Sequence, residues 1–317
     1  VGKRDEVMRD AATMYYIHGE SMDAIARRFG VSRSSISRTL KNARETGMVQ
    51  ISIQSETRGA SSAARKLRDL YGIHAHVVPV RSGIGDAERI DKVASVAAHL
   101  LGDWMQDDTV LGVAWGTTTW EVARQLTRHP THGSMIVQLN GAANTHTTGI
   151  GYASQIISTI AEAFDAKTLF FPVPAFFDYA ETKAAMWRER SVSRVLGAQR
   201  RAQIVLFGVG AMGGSTPSHV YAAGYLDDAD MREVAEEGVV GDICTVFLRA
   251  DGTYRDIAIN RRATGPTPSE LTRVARRVCV VAGDSKVSAL IAALRAHVVT
   301  DLVVDELTAR AVITAST

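Results

Sequence analysis

Met22-Asp23-Ala24-Ile25-Ala26-Arg27-Arg28-Phe29-Gly30-Val31-Ser32-Arg33-Ser34-Ser35-Ile36-Ser37-Arg38 is the stretch whose reading decides how the chain begins to fold. Ser21 precedes it with a hydroxyl able to cap a helix, and Ile25, Ala26 and Phe29 recur at the spacing of one buried helical face. Gly30 ends that helix. Ser32 opens a second one that is expected to run to Glu45 or Thr46, with Ile36, Leu40 and Ala43 turned inward. Two short helices joined by a tight glycine turn are the sequence form of a helix-turn-helix. The outer face of the second helix, Ser32, Arg33, Ser34, Ser35, Ser37, Arg38 and Lys41, is small, polar and basic. Small residues let a helix backbone approach the major groove, and Arg33 and Arg38 can reach guanine edges or phosphates. These seven residues are the expected contacts to double-stranded DNA. The competing reading is an ordinary helical hairpin with a solvated serine-rich face.

Upstream, Val7, Ala11, Met14, Tyr15 and Ile17 or His18 form an apolar stripe over Arg4 to His18, a supporting helix stopped by Gly19. Downstream, Met48 to Ile53 alternates apolar and polar residues, as a short wing or a dimer-facing edge would. Gln54 to Ser62 is small and polar, which suggests a hinge. The expected domains are therefore residues 1–55 and 56–317. Residues 1–55 hold nine Lys/Arg against six Asp/Glu, whereas the remainder holds 27 against 28. The basic excess thus lies where a phosphate-facing surface would need it.

A chain of 317 residues, 46% hydrophobic and 22% charged, is long enough and apolar enough for two folded domains. Cys244 and Cys279 lie in apolar runs with no second ligand at metal-binding spacing, so neither a metal site nor a disulfide is expected, and a reducing cytoplasm fits best. The first residues are charged rather than signal-like, and no apolar run of about 18 residues is present, so no membrane partner is expected.

From about residue 63, short apolar runs alternate with amphipathic stretches, which predicts a Rossmann-like α/β domain with a parallel sheet. Candidate strands are Ala75 to Pro79, Thr109 to Ala114, Met135 to Leu139, Thr168 to Val173, Ile204 to Val209, Thr245 to Arg249, Val278 to Ala282 and Leu302 to Val304. Ligands of such sheets sit at the carboxyl ends of the strands. Four loops there carry chemistry. Gly116-Thr117-Thr118 leads into a helix whose free N–H groups suit a phosphate, although a plain threonine cap reads equally well. Asn140, Asn144 and His146 offer polar contacts after Met135 to Leu139. Lys286 opens a helix and suits an anionic ligand by ion pairing, or a carbonyl by imine formation. Asp242, at a loop edge after Gly241, could hold sugar hydroxyls or simply serve a turn.

Gly208-Val209-Gly210-Ala211-Met212-Gly213 satisfies the glycine spacing of a dinucleotide site, but Ser215, Thr216 and Pro217 extend the loop where a helix should open. Its glycines read better as allowing close backbone approach to a different ligand. An NAD-responsive regulator using Gly208, Gly210 and Gly213 remains the weaker alternative, and no cofactor is expected.

Together these residues resemble the SorC/DeoR-type sugar-binding transcriptional regulators over nearly the whole chain. The DNA-reading part is Arg27 to Arg38. The further motifs are Gly116-Thr117-Thr118, Gly208 to Gly213, Gly241-Asp242-Ile243, Ile259-Asn260-Arg261-Arg262, Ala282 to Lys286 and Asp305 to Ala309. The resemblance implies a small all-α helix-turn-helix domain followed by a domain similar to sugar-phosphate isomerases and deaminases. It also implies a homodimer or homotetramer, and operator binding tuned by a sugar, sugar phosphate or polyol. On this resemblance Gly116, Thr117 and Thr118 would hold a phosphate, Lys286 would touch the same effector, and Gly210, Gly213 and Asp242 would line its sugar part. Gly283-Asp284 replaces the family's frequent glycine pair. Asn140-Gly141-Ala142-Ala143 lacks an arginine that a second phosphate would need, which disfavours a bisphosphate. The alternative in another class is an isomerase or deaminase using Asp242 and Lys286 as base and acid.

Overall fold

The computed structural model describes residues 3–49, 58–144, 150–213 and 218–317. The chain divides into two compact units, Val1–Ser55 and Glu56–Thr317.

The first unit is built from α1 (Lys3–Tyr16), α2 (Met22–Phe29) and α3 (Arg33–Glu45). Ala11, Met14, Ile25, Ile36, Leu40 and Ala43 form its buried centre. Two members of the expected stripe fall outside that centre. Val7 is 41% exposed, and Ile17, 76% exposed, lies beyond the end of α1. Met48 and Val49 pack against this core. The rest of the expected wing, Gln50 to Ile53, lies outside the described residues.

The expected hinge needs correction. Residues 54–57 lie outside the described residues, but residues 58–62 begin the helix Arg58–Tyr71. Small residues there do not break a helix, and burial of Ala63 and Leu67 on one face fixes it.

The second unit is a seven-stranded parallel sheet of β1 (His74–Val78), β2 (Val110–Val113), β3 (Met135–Gln138), β4 (Lys167–Leu169), β5 (Ile204–Phe207), β8 (Arg276–Val281) and β9 (Asp301–Asp305). A separate antiparallel hairpin is formed by β6 (Val239–Ile243) and β7 (Val246–Arg249). The order in the large sheet is β1-β9-β8-β5-β2-β3-β4. Burial on both faces is visible within single strands. In β8, Val278 and Val280 join the core under the helix Asp86–Trp104, whereas Cys279 and Val281 join the one under the helices Val287–Arg295 and Glu306–Ser316.

Two strand expectations are corrected. The run Thr168 to Val173 is a strand only to Leu169, because Pro172 and Pro174 offer no N–H to a ladder. Thr245 to Arg249 does not join the parallel sheet but pairs with β6, which went unread because Gly241 and Asp242 interrupt its apolar pattern. Asp242 is therefore not at a loop edge but inside a buried strand, 5% exposed.

From β2 the chain moves outward through β3 and β4, then returns to place β5 on the other side of β2 and continues through β8 and β9. The carboxyl ends of β2 and β5 thus flank a topological switch point, where open α/β sheets leave a crevice. Among the described residues no helix is long and apolar enough to cross a membrane, and no cluster of metal-ligating side chains occurs.

Candidate functional site

Local bonds fix the presentation of α3. Ser21 accepts a hydrogen bond from the Ala24 N–H at 3.2 Å, capping α2. Gly30 ends α2 with φ of 62°, a left-handed conformation that glycine adopts at least cost, and the Val31 N–H reaches back to the Ala26 carbonyl at 3.0 Å. Ser32 then caps α3 by accepting from the Ser35 N–H at 3.2 Å. Of the residues expected to face DNA, Ser32, Arg33, Ser34, Ser37, Arg38 and Lys41 are exposed. Ser35 is half-buried, its hydroxyl 2.9 Å from that of Ser32. Arg33 lies 3.8 Å from the Asp23 carboxylate in an exposed pair worth little in water, so a phosphate can compete for it.

In the second unit a cavity of about 120 Å³ opens at the switch point. Gly116, Thr117 and Thr118 line it from the end of β2, Asn140 from the end of β3, and Gly210 from the end of β5. Asp242 from β6 and Lys286 after β8 complete the set. Gly213 is exposed and lies outside this lining. Asn144 donates to the Ala223 carbonyl at 3.0 Å. His146, Ser215, Thr216 and Pro217 lie outside the described residues.

Gly116 is the cap of the helix Thr117–Gln125, and it makes no side-chain cap hydrogen bond. The Thr119 hydroxyl donates to the Gly116 carbonyl at 2.9 Å, so it does not cover the first-turn N–H groups. The threonine-cap reading is thereby displaced, and the start of this helix, with its positive dipole end, borders the cavity.

Gly210 and Asp242 form an isolated antiparallel bridge, with Gly210 N–H to Asp242 carbonyl at 2.8 Å and Asp242 N–H to Gly210 carbonyl at 3.1 Å. A Cβ on Gly210 would stand 1.7 Å from Asp242 Oδ1, so glycine here admits the carboxylate rather than a ligand. Asp242 Oδ2 accepts from the Thr245 N–H at 3.1 Å. The hairpin turn between β6 and β7 is Cys244-Thr245, both left-handed at φ of 49° and 71°. A β-branched residue in that region is strained, and both residues line the cavity.

Burial raises the Asp242 carboxyl to about 6, against the lowering influence of Tyr221, Thr245 and Lys286. Burial lowers the Lys286 ammonium, with Asp242 and Asp86 opposing. Lys286 Nζ donates to Ser218 Oγ at 2.6 Å. Asn140 and Asp242, both buried, line this cavity. Polar side chains lining one cavity can serve the hydroxyls of a ligand.

Sequence reasoning missed Ser218, His219 and Thr245 in this lining. It also missed Arg89, a buried side chain bonded to Asp305, Asp284 and Thr308 beneath the loop that carries Lys286. An arginine three residues after Asp86 on an apolar helix was the available signal, since a buried charge must be paired. With its guanidinium engaged by carboxylates, Arg89 does not replace the arginine absent from the Asn140 loop. Among the described residues the first helix after β5 is His219–Ala222, too far on for Gly208, Gly210 and Gly213 to open it.

Residues 55–314 match the family described as "Putative sugar-binding domain". The chain is 29% identical to the deoxyribonucleoside regulator of Bacillus subtilis (strain 168), covering 98% of each. It is 28% identical to the transcriptional regulator LsrR of Enterobacter sp. (strain 638), covering 98% of this chain and 93% of that one. Among solved structures, a domain of a possible sugar-binding transcriptional regulator from Arthrobacter aurescens TC1 is 47% identical with a TM-score of 0.77, over 83% of this chain and all of that one. The full-length sorbitol operon regulator SorC of Klebsiella pneumoniae shares the fold at a TM-score of 0.78 and 19% identity, over 99% of this chain and 100% of that one.

Proposed function

We infer, from the premise that this chain belongs to the SorC/DeoR-type family of sugar-binding transcriptional regulators, that α3 reads operator DNA and that the switch-point cavity binds the sugar-type effector controlling it. One observation carries the effector reading. Asn140 and Asp242, both buried polar side chains, line the same cavity as the helix start at Gly116 and Lys286. Acceptors suit hydroxyls, and the helix start with a lysine suits a phosphate or another anionic group. A phosphorylated sugar satisfies both halves of the cavity, and the absence of a free arginine there favours a single phosphate. A recognition helix alone makes few base contacts, so a symmetric dimer or tetramer reading paired half-sites is the expected assembly. The relatives named above are regulators, which favours this role over turnover by Asp242 and Lys286.

A thermal-shift screen of the full chain against free sugars, polyols and sugar phosphates tests the effector site. A ligand at about 100 times its Kd adds ~2.7 kcal/mol of stability. The hit should be a sugar phosphate and should vanish in Thr117→Ala and Lys286→Ala; a hit that persists in both places the ligand elsewhere. Arg38→Ala should cost ~1–3 kcal/mol of operator affinity if it reads a base, with effector binding unchanged. Equal damage to both activities would sink the division of labour.

A further inference from the structure

A second cavity in the large unit, about 440 Å³ in volume, lies beside the first and is unused by the reading above. Leu139 lines it, whereas the next residue, Asn140, lines the effector cavity. Its walls are mixed, with Leu139 and Val205 at the sheet and Leu196, Leu271 and Val274 around them forming the apolar part. The Trp187 ring closes one side, braced by Phe171 at 5.7 Å and Phe177 at 6.0 Å between centroids.

The charged side chains lining it are Lys183, Arg200 and Arg273 against one carboxylate, Glu270. Glu270 is already committed: its Oε2 accepts from the Thr267 N–H and hydroxyl, each at 2.8 Å. Lys183 is half-buried, and its Nζ stands 5.3 Å from the centre of the Trp187 ring. No ion pair or hydrogen bond within the described residues engages that ammonium. Burial lowers it, with Glu270 opposing. An ammonium held over an aromatic ring inside a partly apolar pocket pays for desolvation that an anionic partner would repay.

We propose that this cavity is a second ligand site, for an organic anion with an apolar or aromatic body. Its volume falls in the range of small-molecule pockets, roughly 300–1,000 Å³, and its mixture of an apolar part with three lining cations matches that ligand class. The body packs against Leu196, Val274 and Trp187, and the anionic group meets Lys183 and Arg273. The two cavities share a thin wall. Gln199 Nε2 donates to the Gln138 and Leu139 carbonyls at 2.8 and 3.1 Å, and the Gly141 N–H donates to Thr264 Oγ1 at 3.0 Å. Gly265 sits so close to Cys244 that a Cβ would be 1.6 Å from its carbonyl oxygen. An occupant therefore bears on the backbone that places Asn140 and Cys244 in the effector cavity.

The test titrates the full chain with anilinonaphthalenesulfonate, an apolar aromatic anion, and with its uncharged relative phenylnaphthylamine. The anion should bind saturably, one per chain, with tryptophan fluorescence quenched. The neutral probe should bind about tenfold more weakly, and Lys183→Glu and Arg273→Glu should each cost about tenfold in affinity for the anion with Tm preserved. Substituting Trp187 risks the fold, since it packs on Phe171, so the two charge reversals carry the test. Equal affinity for both probes, indifference to both reversals, or no binding because sedimentation finds a second copy covering the cavity would each overturn the proposal. The outcome is separate from that of the effector screen, because no sugar is needed to read it.

Discussion

The outer face of α3 and the switch-point cavity are both polar, yet they treat their polar groups in opposite ways. On α3, Ser32 caps the helix and its hydroxyl lies within 2.8 and 2.9 Å of those of Ser34 and Ser35, while Thr39 donates to the Ser35 carbonyl at 3.0 Å. Arg38 Nε reaches the Ser34 carbonyl at 3.5 Å, and the exposed Ser37 hydroxyl stands in water. In the cavity, Asn140 and Asp242 are buried from water, and the Asp242 carboxylate is held by the Thr245 N–H and the Tyr221 hydroxyl. A satisfied surface costs nothing to maintain, whereas a buried polar group left unsatisfied costs ~1–3 kcal/mol. The first region is a solvated surface, which the proposed reading assigns to DNA. The second buries its polar groups, and the left-handed Cys244-Thr245 turn adds strain to the same place.

The sharpest way to break this contrast is Gly210→Ala. Its Cβ would collide with Asp242 Oδ1, and the bridge carrying two backbone hydrogen bonds must open to admit it. The expected loss is about 3 kcal/mol or more in urea denaturation, together with all effector binding. A loss below about 1 kcal/mol would mean that the bridge is not what holds the cavity together.

Asp242→Asn should act in the other direction. The carboxyl titrates from about 6 in the fold against the ordinary 3.8, so the folded chain holds a proton that the unfolded chain has released between these values. Stability therefore rises as pH falls through that window, and above it the buried carboxylate costs on the order of 3 kcal/mol. Asp242→Asn should be more stable than the parent by about that amount near pH 7 and nearly equal to it near pH 4, by paired denaturation curves. Effector affinity should nevertheless fall, because the charged acceptor is gone. A variant that is destabilised at neutral pH would show that the carboxylate is paid back within the fold already.

The same contrast explains which parts could be read from residues alone. The helix-turn-helix was legible because Ser21, Gly30 and Ser32 each act on atoms a few residues away. The loops at Gly116, Gly210 and Lys286 were legible as strand ends, and the sheet order brings them to one cavity. What escaped depends on distant pairing. Asp242 looked like a turn residue because its partner, Gly210, lies in another part of the sequence, and the bridge between them leaves no local pattern. Cys244 and Thr245 carry no compositional sign of a left-handed turn, since asparagine or glycine would be expected there. Ser61 and Ser62 read as hinge because their small side chains suit a loop, whereas the buried positions that recruit them into a helix, Ala63 and Leu67, come afterwards.

The smallest effect belongs to the satisfied surface, and it discriminates between two neighbouring serines. Ser32→Ala removes the side-chain oxygen that accepts from the Ser35 N–H, leaving a first-turn donor of α3 to water. The expected cost is ~1 kcal/mol of stability, by hydrogen exchange of amides in α3. Operator affinity should fall with it, because the Ser34-to-Arg38 turn is presented by that helix start. Ser37→Ala removes an equally exposed hydroxyl that caps nothing, so its effect on stability should stay within about 0.5 kcal/mol, while any loss of DNA affinity would report contact alone. Effector binding should be indifferent to both. If the two substitutions prove equal in stability, the start of α3 is held by its packing through Ile36 and Leu40 rather than by its cap.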